Sequence, residues 1–216
     1  MEDRVTPAAR KRVRLKPEVR TRQILDAALA EFAQHGFDAA RMEDIARRAG
    51  LSKAGIYAHY SGKEALLEAL LGAALTPSAE PRDWLLAGGG NLRAVVEAFV
   101  DQLYDRLAAP EVVAVMRLAI AAGGRVPHLV QHWRETIFQP HLAAQQAILR
   151  EGVAQGLLRP SALTEEVSLM YAPAVHAAIV QMVFQDEASR EAALAMRQAS
   201  KRLLLDLLAP EAAAAP

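Results

Sequence analysis

The sequence predicts an all-α protein in which a small N-terminal unit of three helices precedes a larger helical domain. Three observations carry that expectation. Hydrophobic residues, mostly Ala and Leu, make up 52% of the chain against 5% aromatic, a balance that suits helices better than a sandwich or barrel. Apolar residues recur at spacings of three and four along most of the sequence. Between those stretches stand Gly, Pro and capping residues, where helices stop and start. The 216 residues suffice for one large domain or a small one plus a medium one.

Charge and composition narrow the function classes. Lys+Arg and Asp+Glu are 25 each, so no bulk polyelectrolyte binding is implied. The distribution is uneven: over residues 1–22, Arg4, Arg10, Lys11, Arg12, Arg14, Lys16, Arg20 and Arg22 face only Glu2, Asp3 and Glu18. Residues 1–16 have no hydrophobic periodicity and read as a basic, disordered arm that can settle on phosphates or in a minor groove. The absence of Cys removes disulfides, thiolate chemistry and Cys-based zinc sites, and fits a reducing compartment. No apolar run reaches membrane-spanning length, and charges stand where a signal peptide would place its apolar core. A cytoplasmic protein with no membrane partner is the expectation.

The first structured unit is placed at 17–61. Pro17 suits a first helical turn, with Glu18 in the positive end of the helix dipole. Leu25, Ala28, Leu29 and Phe32 then make one apolar stripe that ends at Gly36. A second helix sets Met42, Ile45, Ala46 and Ala49 on one face, carries Glu43 and Asp44 in its first turn, and stops at Gly50. Ser52 is a good N-cap for a short helix that follows. Helix, glycine turn and capped short helix make a helix-turn-helix whose second member would lie in a major groove. Ile56 is its apolar anchor, while Lys53, Ala54, Ala58 and His59 face outward. Tyr57, His59 and Tyr60 can offer hydrogen bonds to phosphate or sugar, contacts that set register without reading sequence. Ser61 to Glu64 matches a capping box opening the next helix, which puts Lys63 at a helix N-terminus where it can grip a phosphate.

The segment from Thr21 to about Leu71 resembles the DNA-binding domain of the TetR family of bacterial transcriptional regulators. The resemblance rests on I-L-x-A-A, G-F, D-I-A, A-G-L-S-K, I-Y-x-H-Y and K-E-A-L-L, in order and without a gap. It implies a homodimer with an operator-binding head and a divergent helical domain that dimerises and binds a small effector. It also places phosphate contacts on Thr21, Tyr57, His59 and Lys63 and base-reading positions on Lys53, Ala54 and Gly55. Two departures matter. Where the family has Thr near 40 and 41, this chain has Ala40, which cannot cap, and Arg41, which brings charge. Where the family has Gly-Thr or Pro-Thr, it has Ala54-Gly55, and Gly inside a helix costs about 1 kcal/mol relative to Ala. Ala54 can meet a thymine methyl and Lys53 a guanine edge, but Gly55 reads nothing, so direct readout should be sparse. Arg41, the arm and DNA shape would supply part of the specificity.

The remaining chain divides into a connecting helix at 62–75, a loop and hinge region at 76–90, a helical domain at 91–208 and a tail at 209–216. Asn91 caps a helix to Leu107 with Val95, Phe99, Leu103 and Tyr104 on one side. The segment from Glu111 to Ala121 reads as buried nearly all round. A long helix follows from His128 to Glu151, in which Pro140 predicts a kink or break. Thr164 is expected to cap the next helix, kinked at Pro173, and a last helix spans Glu187 to Leu208. The two final helices are the candidates for a dimer bundle, through Ala174, Ala178, Ile179, Met182, Leu194, Leu204 and Leu205, with Val183 and Phe184 adding apolar area.

Effector-pocket candidates are the bulky or polar-tipped residues of otherwise aliphatic helices: Tyr104, Met116, Trp133, Phe138, Tyr171 and His176. His128 and His132 have metal-ligand spacing, but no H-E-x-x-H pattern accompanies them and a surface pair is the expectation, so no metal or cofactor is assigned. No phosphate-binding glycine loop, nucleophile elbow or spaced carboxylate cluster supports an enzyme. The reading is therefore a ligand-responsive transcriptional regulator, a repressor by family habit, with double-stranded operator DNA, its own second copy and an unidentified small molecule as partners. The alternative keeps the DNA-binding head but gives the C-terminal domain only dimerisation or a protein partner.

Overall fold

In the computed structural model, which describes residues 16–76 and 91–210, Pro17 opens α1 (Pro17–Ala39) at its first position. The arm, nearly all of the expected hinge and the end of the tail lie outside the described residues. Gly36, at φ 78° and ψ 163°, interrupts α1 where the sequence predicts its end, a conformation that residues with a Cβ adopt only under strain. The turn beyond it returns Phe37 onto Phe32, with ring centroids 5.4 Å apart. The predicted stripe omitted Ile24, which is fully buried, whereas Leu29 is only partly covered.

α2 (Met42–Arg48) starts from Arg41 without a side-chain cap, as Ala40 and Arg41 imply. Its end is a Schellman motif: Leu51 N–H donates to Ala46 O at 2.8 Å and Gly50 N–H to Arg47 O at 3.1 Å. That motif needs a left-handed residue, and Gly50 supplies φ 67°. α3 (Lys53–Tyr57) follows, capped by Ser52, whose Oγ accepts from Gly55 N–H at 3.1 Å. Glu31 is a feature the apolar pattern did not reveal. It is buried on α1 and joined to α2 through Arg48 at 3.2 Å, with His35 at 3.4 Å on its other oxygen. A buried carboxylate persists only when partnered, so this cluster fixes the seating of α2 on α1.

These helices form one compact unit, ending at Gly62, and everything from Lys63 onward forms a second. The second begins with α4 (Lys63–Leu75), whose Leu66, Leu67, Leu70 and Leu71 are buried. α5 (Leu92–Ala108) is capped by Asn91, which accepts from Ala94 N–H at 3.1 Å. Its buried face is Val96, Val100 and Tyr104; of the predicted side Tyr104 lies on it, while Val95, Phe99 and Leu103 are only partly covered. α6 (Pro110–Gly123) corrects the expectation of burial all round: only Val112, Val115, Leu118 and Ala122 are buried, and Ile120 is 71% exposed. Its hydrophobicity serves one inner face and an apolar exterior.

Pro140 neither breaks nor ends its helix. α7 (Pro127–Trp133) passes through a π-helical turn, Arg134–Phe138, into α8 (Gln139–Ala154). A widened turn just before proline relieves the clash of its ring with the preceding carbonyls. Thr164 is not the cap of the next long helix. Its Oγ1 accepts from Ser161 N–H at 2.8 Å at the start of the short α9 (Ala162–Glu165), and α10 (Ser168–Phe184) begins after a break and carries Pro173 inside it. α11 (Glu187–Leu208) has the predicted bounds, with Asp186 as its N-cap.

α10 and α11 pack together and against α5. Asp101, Tyr104 and Asp105, one face of α5, meet Arg197, Ser200 and Lys201, one face of α11. Arg197 Nε lies 2.6 Å from Asp101, its Nη1 2.7 Å from Asp105, and Lys201 Nζ 2.6 Å from Asp101. Tyr104 and Ser200 share a hydrogen bond of 3.0 Å. Burial opposes ionisation of Asp101, but the bonds from Lys201 and Arg197 outweigh it and hold its carboxyl below the usual carboxylate range.

Candidate nucleic-acid interface and interior cavity

Ser52, Lys53, Ala54, Tyr57, Ala58 and His59 are exposed around α3, and Ile56 is wholly buried beneath them. Thr21 and Arg41 are exposed on the same compact unit, and Tyr60 is half-buried, its phenol pushed up by that burial. Gly55 has a local role. A Cβ there would stand 3.2 Å from Ser52 Oγ, so the cap would have to give by a few tenths of an ångström. Ser52→Ala is expected to lose about 0.5–2 kcal/mol of head stability, read by urea unfolding followed by far-UV circular dichroism.

Lys53 is not idle in the free head. Its Nζ lies 2.6 Å from Glu43 Oε1, and that hydrogen bond holds Glu43 below the usual carboxylate range and raises Lys53 above its ordinary value. The first helix of the motif thus restrains the side chain best suited to read a base. From the sequence Glu43 is only a first-turn residue of its helix, and the pairing with Lys53 was not foreseen. Lys63 opens α4 and belongs to the second compact unit.

Within the second unit, the ends of α4, α5 and α6, the π-helical turn with its flanking residues, and α10 line a half-open cavity of about 560 Å³. Five of the six predicted pocket residues line it: Met116, Trp133, Phe138, Tyr171 and His176. Tyr104 does not. It faces a separate groove of about 410 Å³ between α5, α10 and α11 and bonds Ser200 there. The π-helical turn explains the aromatic wall. In an α-helix residues five apart diverge, whereas the wider turn brings Trp133 and Phe138 into a stack with centroids 5.3 Å apart and planes at 23°. Tyr171 packs edge-on against Phe99 and shares a 3.3 Å hydrogen bond with His141. Burial pushes its phenol up to about 12, so it is uncharged at neutral pH.

The predicted dimer residues separate into two groups. Ala174, Ala178, Met182 and Leu204 are covered by their own chain, Leu204 completely, so they cannot offer surface to another copy. Leu205 packs partly against the same core. Ile179 and Leu194 are exposed at 44% and 63%, and Val183 at 64%. Along α10, Ala172, Val175, Ile179 and Val183 form an exposed apolar stripe at helical spacing, of which the first three also border the cavity.

His128 and His132 form a ladder with α4, at 3.3 Å from Glu64 and 3.1 Å from Glu68. Among the described residues, no three metal-binding side chains converge, and no helix is long and apolar enough to cross a membrane.

Comparison with known proteins decides the family. Residues 24–70 match the model of bacterial regulatory proteins of the tetR family, and residues 86–196 match a tetracyclin repressor-like C-terminal domain. The chain belongs to the TetR family. An HTH-type transcriptional repressor of Streptomyces coelicolor is 31% identical over 66% of this chain and 69% of its own length. The uncharacterized HTH-type regulator YdeS of Bacillus subtilis is 30% identical over 76% of this chain and 80% of its own. In fold, a TetR family transcriptional regulator from Pseudomonas syringae superposes with a TM-score of 0.65 at 21% identity, over 90% of this chain and 98% of that one. These relatives are transcription regulators and not enzymes, and proteins of the TetR family bind operator DNA as dimers.

Proposed function

We propose that this TetR-family chain is a repressor released from operator DNA by a small, largely apolar effector held in the second unit. The observation that carries the reading is the cavity of about 560 Å³, walled by apolar and aromatic side chains with a few polar groups among them. The working form is a cytoplasmic homodimer whose contact runs along the apolar stripe of α10. In it, two heads meet successive major grooves, and the effector prefers a different spacing of the heads.

On the DNA, α3 docks more than it reads. Tyr57, His59 and Lys63 take phosphates, Ala54 meets a thymine methyl, and Lys53 reaches a guanine edge only by leaving Glu43. The roles separate in a binding assay on duplexes selected from a random pool. Lys63→Ala is expected to weaken all sequences alike and flatten the dependence of log affinity on log salt by about one unit. Lys53→Ala should instead change which sequences are preferred. Equal, sequence-independent losses from both would reject the assignment.

A further inference from the structure

The polar groups of the cavity bear on its ligand class, an inference that rests on the effector reading above. Among the described lining residues there is no Asp or Glu, and Arg106 is the permanently charged one. Arg106 Nη2 donates to carbonyls at and just beyond the end of α4, at 2.8 Å from Ala74 O and 3.3 Å from Ala73 O and Thr76 O. The last carbonyls of a helix in general lack partners further along it, and a cation beside them is favourable. The bonds use Nη2 alone, which leaves Nε and Nη1 for an acceptor in the cavity. Trp133 is a second polar-tipped residue of the lining. Its indole N–H is buried without a hydrogen-bond partner among the described residues, although its ring stacks on Phe138. An indole nitrogen only donates, and a buried donor left unmatched is unfavourable.

We propose that the cavity takes a flat, mostly apolar monocarboxylate, with Arg106 as the residue that selects the acid. The stacked pair of Trp133 and Phe138 suits a planar skeleton. Guanidinium and carboxylate match in geometry and charge, and an anion enters an apolar cavity only when paired. A cationic ligand of the same shape would be held beside Arg106 with no carboxylate to meet it. The same guanidinium bonds the end of α4, so occupancy bears directly on the helix that follows the head in the chain.

Calorimetric titration of the full chain with 2-naphthoate, naphthalene-2-carboxamide and 2-naphthylmethylammonium tests this. The carboxylate is expected to bind at least about tenfold more tightly than the ammonium, a gap of roughly 1.4 kcal/mol. Arg106→Gln should reduce that ratio to within about twofold, and Arg106→Lys, which keeps the charge, should retain most of it. Unchanged helicity and assembly state of each variant separate this from a merely structural loss. Wild-type binding without preference for the acid, or an Arg106→Gln variant that keeps the preference, overturns the inference and leaves the effector reading standing. Failure of all three probes to bind the wild type overturns both.

Discussion

Ile56→Ala is expected to remove about 2–5 kcal/mol from the stability of the head and to abolish sequence-specific DNA binding. The effect should be large because α3 is only five residues long and Ile56 is its buried side chain. A helix of that length has no stability of its own and holds its shape through capping and tertiary packing. Ser52 fixes its start, but Ile56, fully covered, fixes its rotation and depth against α2. Cutting it to a methyl leaves a void that two neighbouring helices cannot fill without shifting. Tyr57, His59 and Lys53 would then lose their common orientation, although none has been altered. Urea unfolding and binding to the selected duplex measure the two effects. Full binding despite a destabilised head would show that α3 is held by something other than this contact.

Val183→Asp is expected to convert the dimer to monomer at concentrations where the wild type is associated. Its dissociation constant should rise at least about 30-fold, the effect of losing one interface residue worth about 2 kcal/mol. Val183 is 64% exposed in the single chain, so the substitution costs the fold little. In a two-fold dimer each patch meets its own counterpart, and a carboxylate is introduced on both sides of an apolar contact. Sedimentation equilibrium reads the association, and specific DNA binding should fall with it because two half-sites are no longer engaged together. An unchanged dimer would move the interface elsewhere, with the exposed Ile120 face of α6 as the next surface to alter.

The head was legible in the sequence to within a residue or two because its determinants are local. Pro17, Gly36, Gly50 and Ser52 each act through backbone geometry at their own position. The pairings across helices were not legible. Glu31 with Arg48 and Lys53 with Glu43 depend on how helices are seated, which periodicity does not encode. In the second unit the long helices were recoverable, but the short α9 and the π-helical turn were not, and α6 looked buried when only one side is; on the expected inner side of α5, Tyr104 is buried while Val95, Phe99 and Leu103 are only partly covered. Alternating Val, Ala and Leu leave several faces equally apolar, so packing chooses among them. Five of the proposed pocket residues line the cavity, most of them large or polar-tipped side chains that stand out from an aliphatic background. Tyr104 failed because its hydroxyl found Ser200 in the core. At Ala174 and Ala178 small size marks close packing inside one chain, where both are buried.

The central claim is that occupancy of the cavity sets the affinity of the heads for DNA. A ligand shifts that affinity only if it binds the two states of the protein unequally, and such couplings amount to about 1–3 kcal/mol, or 5–150-fold. The direct measurement is fluorescence anisotropy of a labelled duplex, selected from a random pool, titrated with the full chain in the absence and presence of saturating 2-naphthoate. The account predicts that the apparent Kd for DNA rises at least about fivefold with the cavity filled. An identical Kd, with calorimetry confirming that the cavity is occupied, would contradict it.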